Sequence, residues 1–240
     1  MKNYIVKQAT VWVVAVVLAL GGSLASLNAQ VAEDVPAAET EEPASRATMG
    51  AGNVDVGLSG GIGGLIYPYL EPQVAVGVLP LDVVTISVGG LADAGYCVLC
   101  HLLEVLDDDW TLRSYYFGVY GRALVHLNVV ADQVGGSVRI DPYVGLAVGP
   151  RFYFFDLKYD DGSVSESVST TLNSVVFMPH IGTRVFLTEA ARFFLFGDLR
   201  LLLEFGLGST TVTAGGQSYT VDEDVAGGGI NIALGAGLRF

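Results

Sequence analysis

Alternation of apolar and polar residues with a period of two is the feature that most constrains this chain, and it runs from residue 53 to Phe240. The segment Ser114–Val130 is the clearest example. Its odd-numbered positions are mostly apolar, whereas its even-numbered positions include Arg122 and His126. Because successive side chains of a strand point to opposite faces, one face suits an apolar environment and the other a polar one. The pattern therefore predicts β-strands throughout this region.

The same alternation predicts eight strands, and they cover residues 54–66, 72–80, 83–91, 114–130, 139–157, 174–187, 193–207 and 230–240. An even number of antiparallel strands can close into a barrel with both chain ends on one side. The connections on that side are short, whereas three of those on the other side are longer, at 91–112, 159–172 and 209–226. We therefore predict an all-β fold, an eight-stranded antiparallel up-and-down transmembrane β-barrel over residues 53–240.

A soluble eight-stranded barrel of the lipocalin kind is the main alternative, since it would use the same strands with the apolar face inside. That arrangement would leave Arg122, Arg151, Arg184 and Arg200 outside. The chain is 51% hydrophobic and 15% charged. After residue 30, however, it has no apolar run of the roughly 18 residues that a transmembrane helix needs. These features, together with an export signal at the N-terminus, favour strands that meet lipid on one face.

The N-terminus has the pattern of a secretory signal peptide. Lys2 and Lys7 precede an apolar run at 11–20, and small residues follow that run. We predict a signal peptide over residues 1–29, with cleavage after Ala25 or Ala29. An uncleaved membrane anchor is the alternative.

Residues 30–52 differ in composition from the rest of the chain. Five acidic residues alternate there with Ala and Pro, and no hydrophobic period is present. Such composition is typical of a solvated, flexible segment. We predict an acidic periplasmic linker.

The polar face of the predicted strands carries charges of both signs. The interior of an eight-stranded barrel is just wide enough for side chains to fill it, and a buried charge costs several kcal/mol unless it is paired. We predict a lumenal charge network of Arg122, Asp141, Arg151, Arg184, Asp198, Arg200, Glu204 and Arg239. A narrow aqueous path is the alternative, since inward glycines such as Gly61 and Gly235 leave room.

The last strand ends on an aromatic residue and has one apolar face, made of Ile230, Ile232, Leu234, Leu238 and Phe240. On these residues the chain resembles the small outer-membrane β-barrels, which include the membrane domain of OmpA-like proteins and the OmpW-like and Opa-like barrels. The resemblance implies a bacterial outer-membrane location with lipid around the barrel. It also implies that these five residues form the signal read by the barrel-assembly machinery during insertion.

Cys97, Cys100 and His101 form a C-x-x-C-H pattern in the connection before the fourth strand. A local disulfide between Cys97 and Cys100 is our prediction, because an exported protein folds in an oxidising compartment. Covalent haem attachment and a metal or redox use of the pair are the alternatives. No cofactor and no metal site are predicted. The following residues, 98–106, favour a short helix that ends at an acidic tip.

The sequence has no Ser–His–Asp spacing and no phosphate-binding loop, so we do not predict an enzyme. Its formal net charge of −13 argues against a nucleic-acid partner, which would need clustered Lys and Arg. Two functions stay open. The first is a small passive, porin-like channel for small solutes. The second is a non-conducting envelope-structural or adhesin-like barrel whose outer loops bind extracellular ligands.

Overall fold

The computed structural model describes residues 49–63, 67–81, 83–106, 109–128, 139–160, 165–187, 192–206, 209–214, 217–222 and 226–240. The predicted signal peptide and residues 30–48 of the predicted linker lie outside these residues, so both stay predictions. Within the described part of the chain, no helix is long and apolar enough to cross a membrane.

The described residues form ten strands and the helix α1. In chain order the elements are β1 Val54–Gly63, β2 Tyr67–Pro80, β3 Val84–Tyr96, α1 Val98–Leu106, β4 Trp110–Leu127, β5 Arg139–Asp160, β6 Ser165–Phe186, β7 Phe193–Gly206, β8 Ser209–Ala214, β9 Gln217–Asp222 and β10 Ala226–Arg239.

Eight of these strands close into a ring. Strands β1 to β7 pair in sequence order, and β10 pairs with both β7 and β1. All of these pairings are antiparallel, which confirms the predicted eight-stranded barrel. The last residue also takes part, because the backbones of Phe240 and Val54 exchange hydrogen bonds of 2.8 and 3.0 Å.

The alternation in the sequence becomes the two faces of the barrel wall. The inward positions are buried and hold most of the charged side chains. The outward positions form an apolar belt on every barrel strand, with exposed side chains that include Leu58, Ile62, Leu70, Val88, Val119, Leu146, Ile181, Leu199, Ile232 and Leu234. The apolar face is therefore outside and the charged face inside, whereas the soluble-barrel alternative requires the reverse.

Both ends of the barrel sequence, Val54 and Arg239, lie at one end of the ring, which we call the lower end. Residues Met49–Asn53 fold back across it, and Gly52 adopts a φ of 77°, which favours glycine there. The Gly52 amide donates to the Gly77 carbonyl at 2.9 Å, and the Gly77 amide donates to the Asn53 carbonyl at 2.9 Å. Met49 is buried as a result. The end of the predicted linker is therefore packed against β2.

Three strands extend far beyond the upper end. A tilted strand crosses a bilayer in about 9–11 residues, whereas β5 and β6 contain 22 residues each and β4 contains 18. The predicted loop 159–172 is wrong, since β5 continues to Asp160 and β6 begins at Ser165. The predicted loop 209–226 is also wrong, because it contains the hairpin β8–β9, which pairs with β6 at Val168 and Ser169.

The predicted ends of the second and third strands were also wrong. The second strand begins at Tyr67 rather than at residue 72. Pro68 is typical of a loop, yet it lies within β2, opposite Ile62 of β1. Similarly, β3 continues past Leu91 to Tyr96. These longer strands carry inward acidic residues into the lumen.

Candidate functional site: the charged lumen

The inward charges form three layers, which we name by their height in the barrel. The lower layer contains Asp55, Asp141, Arg184 and Arg239; the middle layer contains Glu71, Arg122, Asp198 and Arg200; the upper layer contains Asp93, Arg151 and Glu204. Every predicted member of the charge network lies in one of these layers.

The lower layer joins two arginines to two carboxylates. Arg239 donates to both carboxylate oxygens of Asp55, at 2.7 and 2.8 Å, and to Asp141 at 2.7 Å. Arg184 lies 2.9 Å from Asp55 and 3.2 Å from Asp141. The guanidinium of Arg239 also stacks over the Phe186 ring, 4.7 Å from its centroid. Each buried charge here has opposite charges around it, as the cost of burial requires.

A hydrogen-bonded chain of Ser87, His126 and Asp141 extends this layer. Ser87 Oγ lies 2.8 Å from His126 Nε2, and His126 Nδ1 lies 2.8 Å from Asp141 Oδ1. The sequence spacing did not reveal this juxtaposition, because the three residues lie on β3, β4 and β5. Serine hydrolases use the same order of groups. Here all three side chains are buried, and Asp141 also binds two arginines. These hydrogen bonds therefore satisfy the acceptor oxygens of a buried carboxylate.

The middle layer is centred on Arg200. Its guanidinium forms a fork with both carboxylate oxygens of Glu71, one of them at 2.8 Å, and it donates to Asp198 at 2.6 Å. Arg122 donates to Asp198 at 3.3 Å and to His180 Nε2 at 3.0 Å. Since His180 Nε2 accepts that bond, its Nδ1 carries the proton that is donated to a backbone carbonyl at 2.9 Å.

The upper layer has one arginine between two carboxylates. Arg151 donates to Asp93 at 2.8 Å and to the Tyr120 hydroxyl at 2.7 Å. That hydroxyl donates in turn to Asp93 at 2.9 Å. Glu204 lies 3.9 Å from Arg151 and accepts a hydrogen bond from Tyr153 at 2.8 Å. The hydroxyls of Tyr120 and Tyr153 thus donate to the two carboxylates where the lower and middle layers have a second arginine.

Three of the six carboxylates were missed in the sequence: Asp55, Glu71 and Asp93. Asp55 lies inside a predicted strand, between the outward residues Val54 and Val56. The alternation of that strand already places Asp55 on the inward face. Glu71 and Asp93 fell outside the predicted strands. Continuing the alternation past the predicted ends would have placed both on the inward face, in phase with the rest of their strands.

The inward glycines do not leave the room that the sequence suggests. A Cβ atom on Gly235 would lie 2.4 Å from the Phe196 ring, and one on Gly61 would lie 2.6 Å from the Tyr69 hydroxyl. Both rings are buried. Gly61 and Gly235 therefore make space for aromatic side chains that point into the lumen.

A groove of about 500 Å³ lies on the outer wall of the barrel. It opens where Gly197 of β7 has no side chain, among outward apolar residues: Val144, Ile181, Leu199, Ile232 and Leu234. Its position on the apolar belt makes it part of the lipid-facing surface.

The remaining predicted site residues lie outside the lumen. Cys97 and Cys100 are joined by a disulfide at the start of α1, and the described residues contain no cluster of three or more His, Cys, Asp or Glu side chains that could hold a metal. The five outward residues of the last strand, Ile230, Ile232, Leu234, Leu238 and Phe240, are all exposed on the belt. Their role as an assembly signal stays a prediction.

A closed sheet with an apolar outer belt and a charged, paired interior is stable where lipid surrounds it. The fold and the paired interior charges therefore define a small integral β-barrel of the bacterial outer membrane. In such barrels both chain ends face the periplasm, and the longer connections lie on the extracellular side. The upper end is therefore the extracellular one.

Solved structures share this fold. A major outer membrane protein from Thermus thermophilus is similar at a TM-score of 0.50 and 15% identity, over 78% of this chain and 99% of that one. The N-terminal barrel domain of Pseudomonas aeruginosa OprF and the attachment invasion locus protein Ail of Yersinia pestis each match at a TM-score of 0.34, with 15% and 12% identity, over 80% of this chain and 99% and 100% of theirs. No family model and no characterised protein sequence matches the chain.

Proposed function

We propose that this protein is a non-conducting outer-membrane barrel that displays an extracellular β-sheet for surface interactions. Of the two functions left open by the sequence, this is the second. The observation that carries the proposal is a set of four buried ion pairs that cross the lumen, in addition to the pairs that run along its wall.

Four ion pairs in the lower and middle layers join strands that are three places apart in the ring of eight. These pairs are Arg200–Glu71, Arg122–Asp198, Arg184–Asp55 and Arg239–Asp141. A bond between strands three places apart must cross the interior. The buried aromatic side chains Phe194 and Phe196 fill the space beside them. Displacing a partner would leave a buried charge uncompensated, at a cost of about 3–5 kcal/mol, which opposes transient opening.

The extracellular sheet supports the second half of the proposal. Above the barrel, β4, β5 and β6 continue as a sheet to which the hairpin β8–β9 is added. Among the described strands, β9 is at the end of the strand order, so one of its edges is available for pairing with another chain. Trp110 and Tyr219 are exposed on this sheet, and exposed aromatic residues are frequent in binding surfaces.

Planar-bilayer recording tests the first half. The full protein, isolated from the outer membrane and reconstituted, should give no discrete conductance steps, whereas a porin inserted under the same conditions gives them. Reproducible steps from the wild-type protein would overturn the proposal in favour of the channel that the sequence also allows.

Cell adhesion tests the second half. Cells that express the wild-type protein should adhere to a glass surface more strongly than cells that lack the protein. Cells that express a variant in which a short Gly-Ser linker replaces residues 209–222 should adhere less. The variant must retain the heat-modifiable gel mobility of a folded barrel. Equal adhesion by both strains would argue against a role for the hairpin.

A further inference from the structure

Helix α1, Val98–Leu106, exposes apolar side chains at the extracellular end of the barrel. The exposed fractions are 52% for Val98, 48% for Leu99, 49% for Leu102 and 66% for Val105. At about 100° per residue, these four positions fall within an arc of about 120°, which is the width of an amphipathic face. A helix of nine residues with such a face needs an apolar environment on that side.

The start of the helix is fixed to the barrel. Cys97 is fully buried and its amide donates to the Ser114 carbonyl of β4 at 2.8 Å. The disulfide to Cys100 then ties the first helical turn to this point. The helix therefore cannot move far from the top of β3 and β4.

An aromatic row on the outer wall marks the height at which the helix begins. Tyr96, Tyr115 and Phe154 are paired in register across β3, β4 and β5. All three are exposed, and the rings of Tyr115 and Phe154 stack at 5.1 Å. Aromatic girdles of this kind lie at the membrane–water interface of outer-membrane barrels.

The apolar face of α1 adjoins this row. The ring of His101 lies 6.4 Å from that of Tyr96, centroid to centroid. On the helix, His101 is about 40° from Val105 and about 60° from Val98. The edge of the apolar face that is formed by Val98 and Val105 is therefore beside an outward, lipid-facing tyrosine, and at this edge the helix face continues the apolar belt.

We propose that α1 is an interfacial helix whose apolar face, Val98, Leu99, Leu102 and Val105, is inserted at the boundary between acyl chains and headgroups of the outer leaflet. Short amphipathic helices bind lipid in this way. The disulfide holds the helix at that height. The occupant is lipid because the face is continuous with the belt that lipid already covers.

Tryptophan quenching tests this docking directly. All variants carry Trp12→Phe and Trp110→Phe, which removes both native tryptophans, and one new reporter is added at Leu102→Trp. The full protein is isolated from the outer membrane and reconstituted in phosphatidylcholine vesicles whose acyl chains are brominated near the headgroup. We expect the reporter to lose most of its emission to the brominated lipid and to be protected from aqueous iodide.

Two reporters on the same chain calibrate the result. Phe205→Trp lies on the apolar belt of β7 and should be quenched by brominated lipid, whereas Tyr219→Trp lies on exposed β9 and should be quenched by iodide. A Leu102→Trp reporter that behaves like Tyr219→Trp would overturn the proposal and leave a protein partner as the occupant. Protection from both quenchers would also overturn it. Val105→Trp replaces Leu102→Trp if that variant lacks the gel mobility of the folded barrel.

Discussion

Asp55 and Arg239 are directly opposite each other across the seam where the first strand meets the last, and Arg239 holds both oxygens of the Asp55 carboxylate. The pair therefore links the two ends of the barrel sequence at the point where the ring closes. Its neighbour Phe240 adds backbone hydrogen bonds to Val54 at the same seam. Closure of the barrel thus depends on a buried ion pair as well as on the strand ladder.

Replacing Asp55 by Asn should destabilise the folded barrel. The change leaves Arg239 and Arg184 with one carboxylate fewer, and breaking a buried pair costs about 3–5 kcal/mol. Urea unfolding in liposomes, followed by gel mobility, measures the loss. Asp160→Asn is the matched control, because Asp160 and Lys158 are 44% and 53% exposed and such pairs contribute about 0–1 kcal/mol. An equal loss of unfolding free energy in both variants would contradict a stabilising role for the buried Asp55 ion pairs.

Gly235→Ala should be strongly destabilising, because the new methyl group would meet the Phe196 ring at 2.4 Å and the Leu58 carbonyl oxygen at 2.5 Å. Overpacking of this kind costs about 1–3 kcal/mol or more. Gly229→Ala on the same strand is the control, since nothing lies within 4 Å of its added Cβ. The temperature at which each variant loses folded gel mobility reports the difference. An unchanged transition in Gly235→Ala would show that the aromatic filling can shift.

Phe240→Ser should slow insertion by the barrel-assembly machinery while leaving spontaneous folding in detergent little changed. The reason is that Phe240 is exposed on the lipid side and belongs to the predicted assembly signal. Folding into proteoliposomes with and without the assembly machinery separates the two effects. Phe205→Ser removes a comparable outward aromatic residue from β7 and should not share the assembly defect. A defect of the same size in both variants would remove the special role of the last strand.

The mature protein should begin at Ser26 or Gln30, since we predict cleavage after Ala25 or Ala29. Intact mass measurement of protein isolated from the outer membrane identifies the first residue. A mass that includes residues 1–25 would favour the uncleaved anchor instead.

The alternation of the sequence determined the wall of this barrel. Residues such as Leu199 and Arg200 were assigned to opposite faces correctly, because the side-chain period of a strand is a local property of the backbone and does not depend on its partners. The same reasoning failed at Ser165–Leu172 and in the hairpin β8–β9. Above the bilayer neither face of a strand must be apolar, so the periodic signal disappears there although the hydrogen-bonded ladder continues.

The tertiary structure alone decided which charges meet. Arg200 binds Glu71 and Arg122 binds Asp198 because closure of the ring brings strands three places apart to face each other across the lumen. The juxtaposition of Ser87, His126 and Asp141 instead follows from the register of the neighbouring strands β3, β4 and β5. The sequence determined that the inward charges must be paired, because burial penalises a lone charge. The choice of partners depended on strand register and ring closure, which are properties of the whole barrel.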